Sequence, residues 1–130
     1  MQNKNFFKIL SSCMLIAVIF TGCADKGERN IQLVKNGSMD SNPNVPIGKA
    51  FDQFFSNGKW TSFTTKNDEE IVEFNGRCLF LDVEEVSVKI QFEILNKKRF
   101  SLVHMSIDGE NLDATSRNII LSGILEDYKP

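Results

Sequence analysis

Few side chains in this 130-residue chain have the types and spacing that chemistry requires. His104 is the only histidine, and it alternates with Phe100 and Leu102 in an apolar segment. A catalytic base needs a nucleophile within reach and a third group that orients it. No Gly-x-Ser-x-Gly or comparable nucleophile motif accompanies His104 in the sequence. We therefore predict a structural histidine, in the core or at the surface.

The carboxylates offer two further possibilities. Glu73 and Glu93 fall inside predicted strands and form the candidate acid–base pair, although alternation places Glu93 on a polar, solvated face. Residues 68–70 and 82–85 are acidic runs beside neighbouring strands and would offer calcium oxygen ligands if they converged; otherwise they are solvated turns. Zinc needs several cysteine or histidine ligands, and one histidine, His104, with one cysteine outside the amino-terminal segment, Cys78, cannot form a tetrahedral site without carboxylates. We predict no catalytic, cofactor-binding or metal-binding residues.

Two surface candidates remain. Lys97-Lys98-Arg99 is the one basic run, and it would either contact anionic phospholipid or lipopolysaccharide or form a charged hairpin tip. Trp60 and Phe63 would form an aromatic binding surface, but the neighbouring phenylalanines favour a place in the core. Neither feature specifies a reaction.

The amino-terminal segment carries the clearest pattern. Lys4 and Lys8 precede an apolar run, residues 9–20, which is typical of a secretory signal. The run is shorter than the roughly 20 residues that span a bilayer. Phe20-Thr21-Gly22-Cys23 resembles the lipobox of bacterial lipoproteins. That resemblance implies cleavage before Cys23, a diacylglyceryl group on its sulfur, and often a further acyl chain, such as palmitate, on the new amino group.

The resemblance implies a signal peptide at residues 1–22, and the polar, charged residues that follow predict a tether at residues 23–30 before one domain at residues 31–130. Lipoprotein sorting keeps proteins with aspartate directly after the lipid cysteine in the inner membrane. Ala24 holds that place, so a two-membrane cell would send the protein to its outer membrane. An ordinary cleaved signal, with Cys23 incidental, and a short uncleaved anchor are the alternatives.

Composition narrows the choice of partners and bonds. Without residues 1–22 the chain has 13 basic and 17 acidic residues, a net charge of −4. This argues against a nucleic-acid binder, which presents a concentrated basic face. If Cys13 leaves with the signal and Cys23 is acylated, Cys78 is the last cysteine and no internal disulfide can form. Cys78 is predicted to be a small buried apolar residue.

Periodicity predicts the elements that position these residues. Residues 31–34 suggest a first strand, and apolar residues at helical spacing predict a helix from Ile47 to about Ser56, which Asn57-Gly58 would end. Strands follow at 60–65, 70–74, 77–83, 86–94 and 100–107, with Asn75-Gly76 as a hairpin turn. A last helix is predicted over residues 113–128, with Asp113 or Ser116 as its N-cap and an edge strand at 118–121 as the alternative. The fold class is α+β: helices on one face of an antiparallel meander of about four strands.

A second resemblance rests on core positions. The chain resembles a recurrent pattern in small exported bacterial domains without a characterised function. The residues that carry the resemblance are 47–52, Phe54-Phe55, Trp60, Phe63, 71–74 and 90–92. It supports the fold and implies no site residues. We therefore expect a lipid-anchored, non-catalytic binding module of the cell envelope with a protein partner, and no nucleic acid or cofactor. A small-ligand carrier, or less favourably a hydrolytic enzyme, is the alternative.

Overall fold

A computed structural model describes residues 26–80 and 82–130 of the chain. The predicted signal peptide and Cys23, the predicted site of lipid attachment, lie outside these residues. Three helices cover one face of a five-stranded antiparallel sheet, so the predicted α+β class is confirmed. In the described part of the chain, no helix is both long and apolar enough to cross a membrane.

The elements follow one another in a simple meander. The strand order in the sheet equals the order in the chain, β1-β2-β3-β4-β5, so every strand connection is a hairpin. Helix α1 comprises residues 26–36, and the other elements are α2 (Ile47–Phe54), β1 (Ser56–Thr64), β2 (Glu70–Phe80), β3 (Glu84–Asn96), β4 (Arg99–Ile107), β5 (Glu110–Asn111) and α3 (Ala114–Glu126).

The core lies between the sheet and the helices, and Phe51 of α2 is at its centre. The Phe51 ring stacks on Trp60 at 5.6 Å between centroids and contacts Phe74 at 4.8 Å and Phe92 at 6.5 Å. Val86, Val88, Ile90 and Phe92 alternate along β3 and bury one side of that strand, as its sequence predicts. Helices α1 and α3 close the same core from the helix side. Their buried residues are Ile31 and Val34 of α1 and Leu121, Ile124 and Leu125 of α3.

The beginning of the domain differs from the prediction. Residues 31–34 are helical, not a strand, and the described part of the predicted tether, residues 26–30, belongs to the same helix α1. Ile31 and Val34 are three positions apart and both are buried, which is the spacing of one helix face. A four-residue apolar run cannot distinguish a strand from a buried helical turn, and here helix packing decided the outcome.

Two Asn-Gly pairs do not have their predicted roles. Asn75 and Gly76 lie inside β2, which continues unbroken to Phe80, so the predicted turn is wrong. A Cβ atom on Gly76 would be 2.9 Å from the Cβ of Phe55 and 2.8 Å from the Phe74 ring, so this glycine permits close packing. Helix α2 ends at Phe54, and Asn57 adopts its positive φ of 54° at an irregularity in β1 instead of at a helix cap.

The last helix follows its prediction closely. Asp113 is the N-cap of α3, and its side chain accepts a hydrogen bond of 2.7 Å from the backbone N–H of Ser116. Residues 118–121 are helical, which excludes the alternative edge strand. Gly123 lies within α3, where packing of Leu121, Ile124 and Leu125 outweighs its low helix propensity.

Candidate functional site

The side of the sheet opposite the helices is uncovered in the described structure and carries the polar strand residues. We call it the open face. Register aligns Thr61, Glu73, Gln91 and His104 across it in one row, because paired residues in neighbouring strands point to the same side. The face also carries three basic residues, Lys59, Arg77 and Lys89, and three acids, Glu73, Glu85 and Glu93.

Glu73 lies at the centre of a hydrogen-bonded group on the open face. Glu73 Oε1 accepts a hydrogen bond of 2.8 Å from Gln91 Nε2, and Oε2 accepts one of 2.9 Å from Asn75 Nδ2. Lys89 Nζ lies 4.0 Å from Oε1. Only 17% of the Glu73 side chain is exposed. The carboxylate is therefore fixed in orientation by two amides and one ammonium group, and this suits it to accept hydrogen bonds from a partner more than to transfer protons.

A second polar group lies toward the other end of the same face. Arg77 Nε donates a hydrogen bond of 2.9 Å to Glu85 Oε1, and its guanidinium also donates to Ser87 Oγ at 3.1 Å. The hydrogen bond with Glu85 raises the pKa of Arg77 above its ordinary value. The Ser87 backbone N–H in turn donates to Asp108 Oδ1 at 2.8 Å. These bonds link β2, β3 and the β4–β5 turn at the surface.

His104 reaches the open face through a β-bulge. Phe92 pairs with Leu102 whereas Gln91 pairs with His104, so Val103 is an extra residue in β4. Regular alternation would place His104 with Phe100 and Leu102 on the core side. The bulge reverses the alternation, buries Met105 completely and leaves His104 half-buried beside Gln91.

Glu73 and the candidate base His104 do not meet. Glu73 and His104 are separated by the β3 strand, and two strand spacings amount to about 10 Å, well beyond hydrogen-bond reach. Glu93 shares the open face with Glu73, as alternation predicts, and lies diagonal to it, two positions along β3 from Gln91. Cys78 lies on the helix side of the sheet, so His104 and Cys78 face opposite directions.

Cys78 contributes to an apolar cleft between the sheet and the α2 and α3 helices. The cleft has a volume of about 240 Å³, and Phe54, Val86, Ile120 and Gly123 also line it. The thiol is free and half-buried, and burial raises its pKa. A raised pKa decreases the thiolate fraction, which is the reactive form. This agrees with the predicted packing role better than with a nucleophile.

The acidic runs do not converge into a metal site. Residues 68–70 lie at the β1–β2 turn and residues 82–85 at the β2–β3 turn, and β2 separates the two turns by its full length of 11 residues. That length is about 35 Å. Across residues 26–80 and 82–130, no group of three or more histidine, cysteine or acidic residues is placed to hold a metal ion.

The aromatic pair is divided between the two sides of the sheet. Trp60 packs on Phe51 in the core, as predicted, but Phe63 lies on the open face and is 44% exposed. The two residues are three positions apart in β1, an odd spacing that places them on opposite sides. They therefore form no common aromatic surface, and the core prediction for Phe63 is wrong.

Lys97 and Lys98 form the β3–β4 turn and Arg99 begins β4, and all three are exposed, which confirms a charged hairpin tip.

No protein-family model matches the chain, and comparison with curated proteins and with solved structures finds no significant match. The residues and their geometry are therefore the basis for a proposed function.

Sequence reasoning missed the amide partners of Glu73. The sequence predicts a turn at Asn75-Gly76 and no role for Gln91. The period-2 pattern of β3 contained the signal for Gln91, because it placed Gln91 and Glu93 on one face. The contact between strands required the β2–β3 register, which the false turn at Asn75-Gly76 concealed.

Proposed function

We propose that this protein is a lipoprotein of the bacterial cell envelope, anchored by lipid on Cys23, and that its domain is a non-catalytic binding module. The sequence pattern before Cys23 supports the anchor. The observation that carries the binding role is the open face, a polar surface four strands wide that no described helix covers. In a cell with two membranes, the outer membrane is the proposed location.

The chemistry of the open face favours recognition. Glu73 presents a carboxylate whose orientation is fixed before any partner arrives. Preorganised groups lose less conformational entropy when they bind, which increases affinity for a complementary surface. Catalysis would need a base and an acid or nucleophile in contact, and the separation of Glu73 from His104 gives no support to that alternative.

Photo-crosslinking in living cells tests the binding role. A photoreactive amino acid at Thr61 would occupy the open face, and the same amino acid at Asp52 would occupy the exposed side of α2. We expect a discrete protein adduct from Thr61 and a weaker one or none from Asp52. Adducts from Asp52 alone would contradict the assignment of the open face as the binding surface.

The lipid anchor has its own test. Mass spectrometry of the mature amino terminus should find Cys23 as the first residue with the mass of attached acyl chains. Cys23→Ala should prevent lipid attachment and either release the protein or stall its processing. A mature chain that begins elsewhere, or an unmodified Cys23, would contradict the proposed anchor.

The apolar cleft supports a second candidate function, transport of a small apolar ligand. Its volume of about 240 Å³ is slightly below the roughly 300–1,000 Å³ of ligand pockets, so only a small ligand would fit. Gly123→Leu should fill the cleft, because a Cβ atom there meets nothing within 4 Å. A fluorescent apolar probe should bind the unmodified protein and not Gly123→Leu, while Ile119→Leu, a change at an exposed position of α3, should leave binding intact. Equal binding by all three proteins would contradict a ligand in the cleft.

A further inference from the structure

We propose that the domain docks a basic patch onto the anionic phospholipid headgroups of the membrane that holds its acyl chains. The basic patch consists of Lys26, Arg29, Lys97, Lys98 and Arg99, all exposed. This inference rests on the proposed lipid anchor at Cys23 and adds an orientation to it: the end of the domain with the β3–β4 turn faces the bilayer.

The fold brings two distant parts of the chain together in this patch. Lys26 and Arg29 of α1 and Lys97 of the β3–β4 turn line the same surface cleft, which has a volume of about 560 Å³. The sequence contains only the run at residues 97–99. The contribution of α1 depends on residues 26–36 being helical, because that helix places Lys26, Arg29 and Leu33 along one side.

Charge is distributed unevenly between the patch and the rest of the domain. Glu70 forms an ion pair with Lys26 and is the one acid that lines the cleft. Glu28 belongs to another side of α1, where it accepts a hydrogen bond from Gln32. The patch with Glu70 therefore has a net charge of +4, whereas the rest of the chain from Cys23 onward has 8 basic and 16 acidic residues, a net charge of −8.

The strongest part of the patch is the β3–β4 turn. The acidic β1–β2 turn, which includes Asp68 and Glu69, lies on the other side of Lys26 and weakens the positive potential there. Lys97, Lys98 and Arg99 form no salt bridge within the described structure. Their charges are therefore free to interact with phosphate groups outside the protein.

The anchor makes a lipid surface the partner of choice. Three residue steps separate Cys23 from Lys26, and such a segment spans at most about 11 Å. The Debye length at physiological salt is about 8 Å, and since 11 Å is the upper limit of the spacing, the segment lets Lys26 approach the bilayer to within one Debye length, where charges interact. Acyl chains combined with a basic patch form the two-signal arrangement that gives stable membrane attachment.

Accessibility of single cysteines in vesicles tests the orientation. The full lipid-modified protein with Cys78→Ala would carry either Leu95→Cys, close to the patch, or Val83→Cys, at the opposite end of β3. Both native side chains are exposed, at 51% and 86%, so a cysteine at either position is open to the reagent when no membrane covers it. Vesicles would contain phosphatidylcholine alone or an equal mixture with phosphatidylglycerol, and a membrane-impermeant maleimide would measure access.

We expect phosphatidylglycerol to slow labelling at Leu95→Cys and to leave Val83→Cys unchanged. Raising the salt concentration to about 1 M, where the Debye length is about 3 Å, should remove the protection. Each basic residue near an anionic surface favours binding by about fivefold, so replacing Lys97, Lys98 and Arg99 with glutamine should weaken the docked orientation by about 100-fold. The control variant replaces Lys49, Lys59 and Lys129 with glutamine and should retain the protection.

Three outcomes would overturn the docking proposal: equal labelling in both lipids, protection that resists salt, or loss of protection in the control variant. The mass of the mature protein is measured on the same sample, so a lipid-modified protein without protection refutes the docked orientation and leaves the anchor standing. A protein without lipid refutes the anchor. Co-sedimentation of this unlipidated protein with the two vesicle types then tests whether the basic patch binds anionic headgroups. Preference for vesicles with phosphatidylglycerol would support binding by the patch, and equal sedimentation would overturn it.

Discussion

Replacing Phe51 with alanine should remove the centre of the aromatic cluster that joins helix α2 to the sheet. The side chain is fully buried and its ring contacts Phe55 at 5.4 Å as well as Trp60, Phe74 and Phe92. Buried phenylalanine-to-alanine changes destabilise proteins by about 3–5 kcal/mol. Favourable aromatic pairs add about 0.5–1.5 kcal/mol each beyond their buried area, which places Phe51→Ala near the upper end, at about 4–5 kcal/mol.

The assay uses the single tryptophan of the chain. Trp60 stacks on Phe51 with an angle of 16° between the ring planes, so its fluorescence reports directly on this part of the core. Urea unfolding of the mature protein and of Phe51→Ala, followed through Trp60, gives the difference in free energy of unfolding. A domain of this size has a total stability of about 5–15 kcal/mol, so the variant should unfold at much lower urea concentration.

Phe63→Ala is the matched control, because it removes the same atoms from a half-exposed position on the open face. We expect it to cost about 1 kcal/mol or less, as most surface substitutions do. Equal losses in the two variants would refute the assignment of Phe51 to the centre of the core. A loss below about 2 kcal/mol in Phe51→Ala would refute the packing that the ring distances indicate.

Three further predictions test separate parts of the structure. Gly76→Ala should destabilise the protein by about 1–3 kcal/mol, because the added Cβ is overpacked against Phe55 and Phe74. Gly123→Ala should stabilise it by about 0.5–1 kcal/mol, because the added Cβ meets open space in a helix. Changes of the same sign in the free energy of urea unfolding would contradict this prediction. Asp113→Ala should lower the melting temperature at pH 7. The hydrogen bond from Ser116 lowers the pKa of Asp113 in the folded protein. The stabilisation by the Asp113 carboxylate is therefore present above the ordinary pKa of about 3.9 and is lost as pH falls through the lowered folded pKa. A difference in melting temperature between the two proteins that persisted below the folded pKa would contradict this role. Cys78 should react with maleimide more slowly in the folded protein than in urea, because burial raises its pKa; equal rates would show that the thiol is freely accessible.

The sequence predicted helices α2 and α3 and strand β3 because their periodicity is strong. Strand β3 alternates apolar and polar residues over most of its length, and Phe51 and Phe55 lie at helical spacing from Ile47. The errors fell where one signal has two physical meanings. Gly76 resembles a turn glycine, but close contact with Phe55 and Phe74 is what requires it.

The candidate site was harder to predict than the fold. The position of His104 depends on the bulge at Val103, and no local propensity in that apolar strand indicates an extra residue. The group around Glu73 depends on the register between β2 and β3, which follows from packing of whole strands rather than from the residues nearest Glu73. The basic patch likewise required the helix at residues 26–36, a segment whose short apolar run indicated a strand.

The balance of charge on the open face sets the kinetics of any complex that forms there. Three basic and three acidic strand residues cancel, so long-range attraction would contribute little to the encounter with a partner. Association without electrostatic steering proceeds at about 10⁵–10⁶ M⁻¹s⁻¹ and depends weakly on salt. A partner of this face would therefore arrive slowly, and the complex would owe its affinity to a long lifetime, which suits a stable assembly better than a rapid exchange of signals.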